Sequence, residues 1–87
     1  MKRILEICCT SLEDAKIASD NGADRIELCE DLEVGGVTPN LKLLEYVLNN
    51  IALPVFVLVR PRGGHFFYNY DELDIMLASI NEIKNIG

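Results

Sequence analysis

The feature that most constrains the fold is a local pattern that occurs three times along the chain. Each unit is a short β-rich run, a polar loop and a segment with the apolar period of a helix. The units recur about every 29 residues, which is the size of a βαβ unit. Alternating strands and helices favour a parallel sheet with right-handed crossovers. The sequence therefore predicts an α/β fold built from three βα units.

The three predicted strands differ in character. They cover residues 3–9, 24–29 and 54–59. The third contains the unbroken apolar run Val55–Val59, which is typical of a strand buried on both faces. The first two alternate instead, with carboxylates and thiols on one face and apolar side chains on the other. Because covered parallel strands are normally apolar throughout, this polar face predicts a polar lumen or an active site.

Capping signals predict where each helix begins. The first helix is expected over residues 11–21, with Gly22 as its left-handed stop. The expected N-cap residues are Thr10 or Ser11 for the first helix, Thr38 followed by Pro39 for the second, and Asp71 for the third. Each helix would then return the chain to the next strand.

Composition excludes several classes of function. The chain has 87 residues and a formal net charge of -6, which argues against nucleic-acid binding because that needs a basic patch. No apolar run reaches the roughly 20 residues of a membrane-spanning helix. The odd number of cysteines does not indicate a disulfide framework or a structural zinc site. Without a signal-peptide pattern, we expect a cytoplasmic protein with reduced thiols.

The ends of the predicted strands locate the expected site. Three parallel strands leave two unpaired edges, so we expect residues 1–87 to be one partial domain, the N-terminal three βα units of a (β/α)8 TIM-type barrel. The loops that leave the second and third strands, 30–38 and 60–70, are long and rich in Gly, Arg and acids. The active sites of such barrels lie at this carboxyl end of the strands.

Alternation along the strands places a set of polar side chains on the lumen face, the sheet face opposite the helices. The set is Glu6, Cys8, Arg25, Glu27 and Cys29, with Arg60 at the mouth. One interpretation is structural, with Arg25 and Arg60 neutralising the two glutamates. The other is catalytic, with Glu6 or Glu27 transferring a proton beside the arginines. Both interpretations stay open at this point.

The cysteines suggest a metal site. Cys8 and Cys29 fall on adjacent strands and on the same face, so their sulfurs could share a soft metal such as Cu(I). Cys9 faces the other way and cannot join them. The alternative is that the cysteines simply act as small buried hydrophobic residues.

The loop before the third helix suggests an anion site. Its sequence is Arg60-Pro61-Arg62-Gly63-Gly64. Backbone N–H groups of Gly63 and Gly64 near a helix N-terminus, with Arg60 and Arg62 as a fork and Arg25 close by, would suit a phosphate or carboxylate. His65 follows and is either a general acid/base or ligand, or an ordinary loop histidine. Aromatic residues at 66–70 are expected to cover the sheet end or to meet a neighbouring subunit.

Four strings at characteristic separations carry a family resemblance. They are Leu5–Cys9, Gly22–Cys29, Gly35–Pro39 and Arg60–Gly64. Together they resemble the N-terminal part of the copper homeostasis protein CutC family. The resemblance implies a cytoplasmic (β/α)8 barrel, longer than this chain and tending to self-associate, whose copper role is linked to Cys8, Cys9 and Cys29. Family members often carry Asp or Asn where this chain has His65.

Two hypotheses of function follow. The first is a CutC-like copper homeostasis protein that binds Cu(I) through thiolates at the barrel mouth. The second is a TIM-barrel enzyme acting on a small phosphorylated or carboxylated metabolite, with Arg60 and Arg62 holding the anion and Glu6 or Glu27 moving a proton. The expected partners are accordingly a copper ion or a small anionic ligand, and a second copy of the chain.

Overall fold

The computed structural model describes residues 3–87 and has the predicted alternation of strands and helices. Its elements are β1 (Glu6–Cys9), α1 (Leu12–Asp20), β2 (Arg25–Leu28), a 3-10 turn (Leu32–Val34), α2 (Leu41–Asn50), β3 (Val55–Val57) and α3 (Tyr70–Ile86). The strands form one parallel sheet in the order β1-β2-β3. The strands are shorter than predicted, but their number, order and direction agree with the prediction.

The hydrophobic core lies between one face of this sheet and helices α1 and α2. Its fully buried side chains include Cys9, Ile26, Leu28, Leu44 and Val47. On β2 the buried residues alternate with Arg25 and Glu27, which are only partly buried. Alternation is what a strand with one covered face requires, so the predicted division of β1 and β2 into a core face and a lumen face is confirmed.

The predicted start of α1 is confirmed. Ser11 is the N-cap residue, and its hydroxyl accepts a hydrogen bond from the Asp14 backbone N–H at 3.0 Å. Gly22 follows the helix with a φ of +90°, a left-handed conformation that glycine adopts without the Cβ clash of other residues.

The predicted N-cap of α2 at Thr38 is wrong, because the N-cap is Asn40, two residues later, and the helix begins at Leu41. Asn40 caps it by accepting from the Leu43 N–H at 2.8 Å. Glu30 in turn accepts from the Asn40 backbone N–H at 2.9 Å. The Thr38 hydroxyl is used elsewhere, since it accepts from the backbone N–H of Arg60 at 2.8 Å. Tertiary contacts thus draw Thr38 away from a local capping role.

The predicted cap of α3 at Asp71 is also wrong. Asn69 is the N-cap residue, and it forms a reciprocal capping box with Glu72. A capping box satisfies two otherwise unpaired backbone donors at once. Asp71 lies in the first turn, where its charge still complements the positive end of the helix dipole.

Burial of the third unit differs from the prediction. The strand β3 is not buried on both faces, because Phe56 is 49% exposed. The apolar stripe of α3 is largely exposed as well, and only Ile83 and Ile86 pack against the core. Within residues 3–87, β3 pairs on one side only and its Phe56 face has no covering layer. In the same range, no helix combines the length and apolarity needed to cross a membrane.

Candidate functional site

The structure places Cys8 and Cys29 on neighbouring strands and on the same face. Cys8 lies opposite Glu27 in the sheet register, with its Sγ 3.6 Å from Glu27 Oε1. Cys29 follows the last residue of β2 and extends the pairing, because its N–H donates to the Cys9 carbonyl at 3.1 Å. Cys29 is therefore the diagonal neighbour of Cys8 across the pair of strands. Cys9 points into the helix-side core.

All three thiols are free, and all have pKa values above the ordinary value. Burial is the main cause in each case, because it disfavours the thiolate. The carboxylates of Glu27 and Glu6 raise the pKa of Cys8 further. The thiols are consequently protonated near neutral pH, and a metal ion that binds them must displace protons.

Arg25 forms an ion pair across the lumen face. Its Nε donates to Glu6 Oε2 at 2.6 Å, and its guanidinium lies over the Phe56 ring at 4.8 Å. Both side chains of the ion pair are about one-third exposed, so solvent screens it and its contribution to stability is at most about 1 kcal/mol. The contact partner of Glu27 is the Cys8 thiol, not an arginine.

Arg60 is buried, and its guanidinium is bound to loop carbonyls. Nη1 donates to the Val34 and Gly36 carbonyls, and Nη2 donates to the Gly64 carbonyl, each at 2.9 Å. The Phe66 ring stacks on the guanidinium at 4.8 Å. Among the described residues the Arg60 Nε has no hydrogen-bond partner. The side chain therefore joins two loops, and it does not pair with a lumen glutamate.

Arg62 is also engaged within its own loop. It pairs with the Glu72 carboxylate and donates to the carbonyls of His65 at 2.9 Å and Phe67 at 2.8 Å. His65 is exposed, and its Nδ1 accepts from the Phe67 N–H at 3.3 Å. The predicted anion fork thus has most of its donors occupied by the protein itself.

Gly63 and Gly64 allow the loop after β3 to pack closely against the loop after β2. A β-carbon on Gly63 would lie 2.8 Å from Val34 Cβ, so only glycine permits this approach. Gly64 has a φ of +89° and provides the carbonyl that accepts from Arg60. The two glycines therefore permit the close contact between the loops after β2 and β3, and the anion site at this loop stays a prediction.

The Arg62–Glu72 pair predicts a loss of stability in acid. The hydrogen bond from Arg62 and the backbone hydrogen bond at Asn69 hold the Glu72 pKa below its ordinary value of 4.5. A carboxyl whose folded pKa is depressed stabilises the fold above its unfolded pKa and loses that contribution as pH falls through the folded value. The melting temperature should therefore decline below about pH 4.5.

Glu72→Gln isolates this effect. The variant should melt at a lower temperature than the wild type at pH 7, and the difference should shrink as pH approaches 3. Asp71→Asn is the matched control, because Asp71 lies in the same helical turn without an arginine partner. A wild type and a Glu72→Gln variant that differ equally at every pH would contradict the assignment. Differential scanning calorimetry measures all three proteins.

A polar cleft that was not predicted from the sequence lies between the loops after β1 and β2. The cleft has a volume of about 540 Å³ and is lined by Ser11, Glu30, Asp31, Glu33 and Asn40, among others. The acidic string at 30–33 was the available signal. Glu30 already accepts two hydrogen bonds from Asn40, and residues 3–87 contain no group of three or more His, Cys, Asp or Glu arranged to hold a metal ion.

Comparison with known proteins decides the family. The CutC family pattern matches residues 3–87. This chain belongs to the CutC family. A CutC family protein of Salmonella paratyphi B is 48% identical over 84 residues, which cover 97% of this chain and 34% of that protein. The human copper homeostasis protein cutC homolog is 45% identical, with 97% of this chain and 31% of the human protein covered.

A solved structure from the CutC family supports the same fold. The CutC crystal structure from Streptococcus agalactiae superimposes with a TM-score of 0.85 and 35% sequence identity, covering 97% of this chain and 42% of that one. The predicted fold class, three βα units of a TIM-type barrel, is thereby confirmed. This chain spans about a third of the length of the curated CutC relatives it matches.

Proposed function

We propose that this protein is a cytoplasmic copper homeostasis protein that binds Cu(I) through Cys8 and Cys29. The observation that carries the proposal is the position of these two free thiols, which are diagonal neighbours on the lumen face at the carboxyl end of the strands. Thiolates are the soft ligands that select Cu(I) over harder ions. The name of the human relative, a copper homeostasis protein homolog, agrees with this chemistry.

The environments of the two thiols fit a site for a soft, singly charged ion. Cys8 is exposed, so solvent-borne or chelated copper can reach it. Cys29 is only 1% exposed, and a buried thiolate would keep the ion away from water and oxidants.

The site is tested by anaerobic Cu(I) titration against a chromogenic chelator. Cys8→Ser and Cys29→Ser should each lower the affinity by about 100-fold or more, because loss of a ligand exceeds the 10–100-fold effect of losing an outer partner. Cys9→Ala is the matched control, since this neighbouring thiol lies in the helix-side core. It should change the affinity by less than about threefold. Equal affinity in wild type and Cys29→Ser would exclude the site.

The alternative of an enzyme acting on an anionic metabolite has weaker support. It requires Arg60 and Arg62 to present free donors, yet their guanidinium groups bind loop carbonyls and Glu72. Glu6 is likewise paired with Arg25. Among the described residues, neither the Cys8 nor the Cys29 thiol belongs to an ion pair, and Cys8 donates one hydrogen bond, to Glu27.

A further inference from the structure

The loop after β2 folds back onto the end of its own strand. We call residues 30–38 the cover loop. It begins directly after Cys29 and is closed by two backbone hydrogen bonds between Glu30 and Val37, at 3.0 and 2.8 Å. A further bond joins the N–H of Gly36 to the Asp31 carbonyl at 3.1 Å. The cover loop is therefore a compact, hydrogen-bonded structure.

The cover loop packs against the Cys29 thiol through Gly36. This glycine is buried, and a β-carbon on it would lie 3.6 Å from Cys29 Sγ and 3.1 Å from Leu58 Cδ2. The contact helps to explain why Cys29 is 1% exposed while Cys8 is exposed. Access of solvent and metal ions to the Cys29 thiol consequently depends on the position of the cover loop.

Arg60 is the residue that fastens the cover loop. Its side chain donates to the carbonyls of Val34 and Gly36, both within the loop. Its backbone is joined to the other end of the loop, because the Thr38 N–H and hydroxyl both donate to the Arg60 carbonyl, at 2.9 and 3.1 Å. The third side-chain bond, to Gly64, anchors Arg60 in the loop after β3.

The fit between Arg60 and the cover loop is close. A β-carbon on Gly35 would lie 2.8 Å from Arg60 Nη1, so the guanidinium occupies space that only glycine leaves open. Arg60 is 7% exposed, and its charge is met by carbonyl dipoles rather than by a carboxylate. The planar guanidinium directs two bonds to the cover loop and one to the loop after β3, an arrangement that the point charge of a lysine cannot reproduce.

We propose that Arg60 is a positioning residue that holds the cover loop closed over Cys29 and so governs the access of Cu(I) to that thiol. The copper part rests on the proposed function, whereas the closure of the loop does not. In this scheme Cu(I) meets the exposed Cys8 first. Opening of the cover loop then presents Cys29 as the second ligand.

Thiol labelling of the full chain tests the closure without copper. In a Cys8→Ser background, iodoacetamide labels Cys9 and Cys29, which trypsin separates onto different peptides for mass spectrometry. Arg60→Lys should accelerate the labelling of Cys29 by about tenfold or more, as expected when local opening becomes easier. Labelling of Cys9 reports global unfolding, because Cys9 is fully buried on the other face of the sheet. The labelling rate of Cys9 should not change.

Matched variants separate a local role from a general loss of stability. Arg62→Lys is the control, because Arg62 binds its own loop and Glu72 but makes no hydrogen bond to the cover loop. Arg62→Lys should leave the labelling rate of Cys29 unchanged. Thr38→Val is the substitute if Arg60→Lys does not fold, because it removes only the hydroxyl hydrogen bonds to Arg60. It should accelerate the labelling of Cys29 severalfold. If labelling of Cys9 and of Cys29 were accelerated equally in the folded variants, the proposal would be overturned.

The rate of Cu(I) transfer tests whether the cover loop governs the access of copper to Cys29. Stopped-flow transfer of Cu(I) from a chelator complex, in proteins that keep Cys8, should be faster for Arg60→Lys than for the wild type. Equal transfer rates with accelerated Cys29 labelling would overturn the claim about copper access. If Cys29 labelling accelerates and neither protein binds Cu(I), the proposed function fails while the closure of the cover loop by Arg60 is supported.

Discussion

Replacing Ile26 with alanine is expected to lower the free energy of unfolding by about 2–5 kcal/mol. Ile26 is fully buried in β2, the central strand, and belongs to the core between the sheet and the helices. Truncation removes the apolar contacts that Ile26 makes within the core between the sheet and the helices, and it leaves a cavity that a central strand cannot collapse to fill. Domains are stable by only about 5–15 kcal/mol in total. A large fraction of the Ile26→Ala molecules should therefore be unfolded in mild denaturant.

Ile17→Ala is the matched control for this prediction. The chemical change is the same, but Ile17 is 63% exposed on α1. Alanine is also the better helix former, so the expected change is within about 0.5 kcal/mol. Urea unfolding followed by circular dichroism measures both variants. Similar losses for Ile17→Ala and Ile26→Ala would mean that the core does not lie where the structure puts it.

Gly36→Ala is expected to lower the free energy of unfolding by about 2–5 kcal/mol. Gly36 has a φ of +91°, and a left-handed conformation costs other residues about 1–2 kcal/mol. The new methyl group would also lie 3.1 Å from Leu58 Cδ2 and 3.6 Å from Cys29 Sγ. Overpacking of this kind adds about 1–3 kcal/mol, and it should disturb the cover loop directly.

Gly22→Ala separates the backbone cost from the packing cost. Gly22 has almost the same φ, +90°, but a β-carbon there would meet nothing within 4 Å. Only the backbone cost remains, so the expected loss is about 1–2 kcal/mol. The same urea titrations compare the two variants. A Gly36→Ala protein as stable as Gly22→Ala would show that the cover loop yields easily and does not press on Cys29.

The strand faces were predictable from the sequence because side-chain direction in a strand has a period of two residues. Alternation in β1 and β2 placed Glu6 and Cys8 opposite the core, and the structure agrees. The Ser11 cap was predictable for a similar reason, since its hydroxyl needs only the N–H of Asp14, three residues away. Features that depend on neighbours within one turn or one strand are visible in the sequence.

The tasks of the arginines were not predictable in this way. The sequence Arg60-Pro61-Arg62-Gly63-Gly64 has the composition of an anion-binding loop. In the structure Arg60 instead meets carbonyls 24 and 26 residues away along the chain. The partners that occupy its donors belong to another loop, and no local pattern identifies them.

Local periodicity and motif spacing were enough to predict the α/β class, the number and order of the βα units, the core face of β1 and β2, and the family. Contacts between distant parts of the chain determine that Asn40 rather than Thr38 caps α2, that Arg60 joins two loops, and that Cys29 is buried while Cys8 is exposed. These features depend on competition for hydrogen bonds and for space in the folded chain. A donor takes the partner that the folded loops bring to it, and that partner is often distant in the chain.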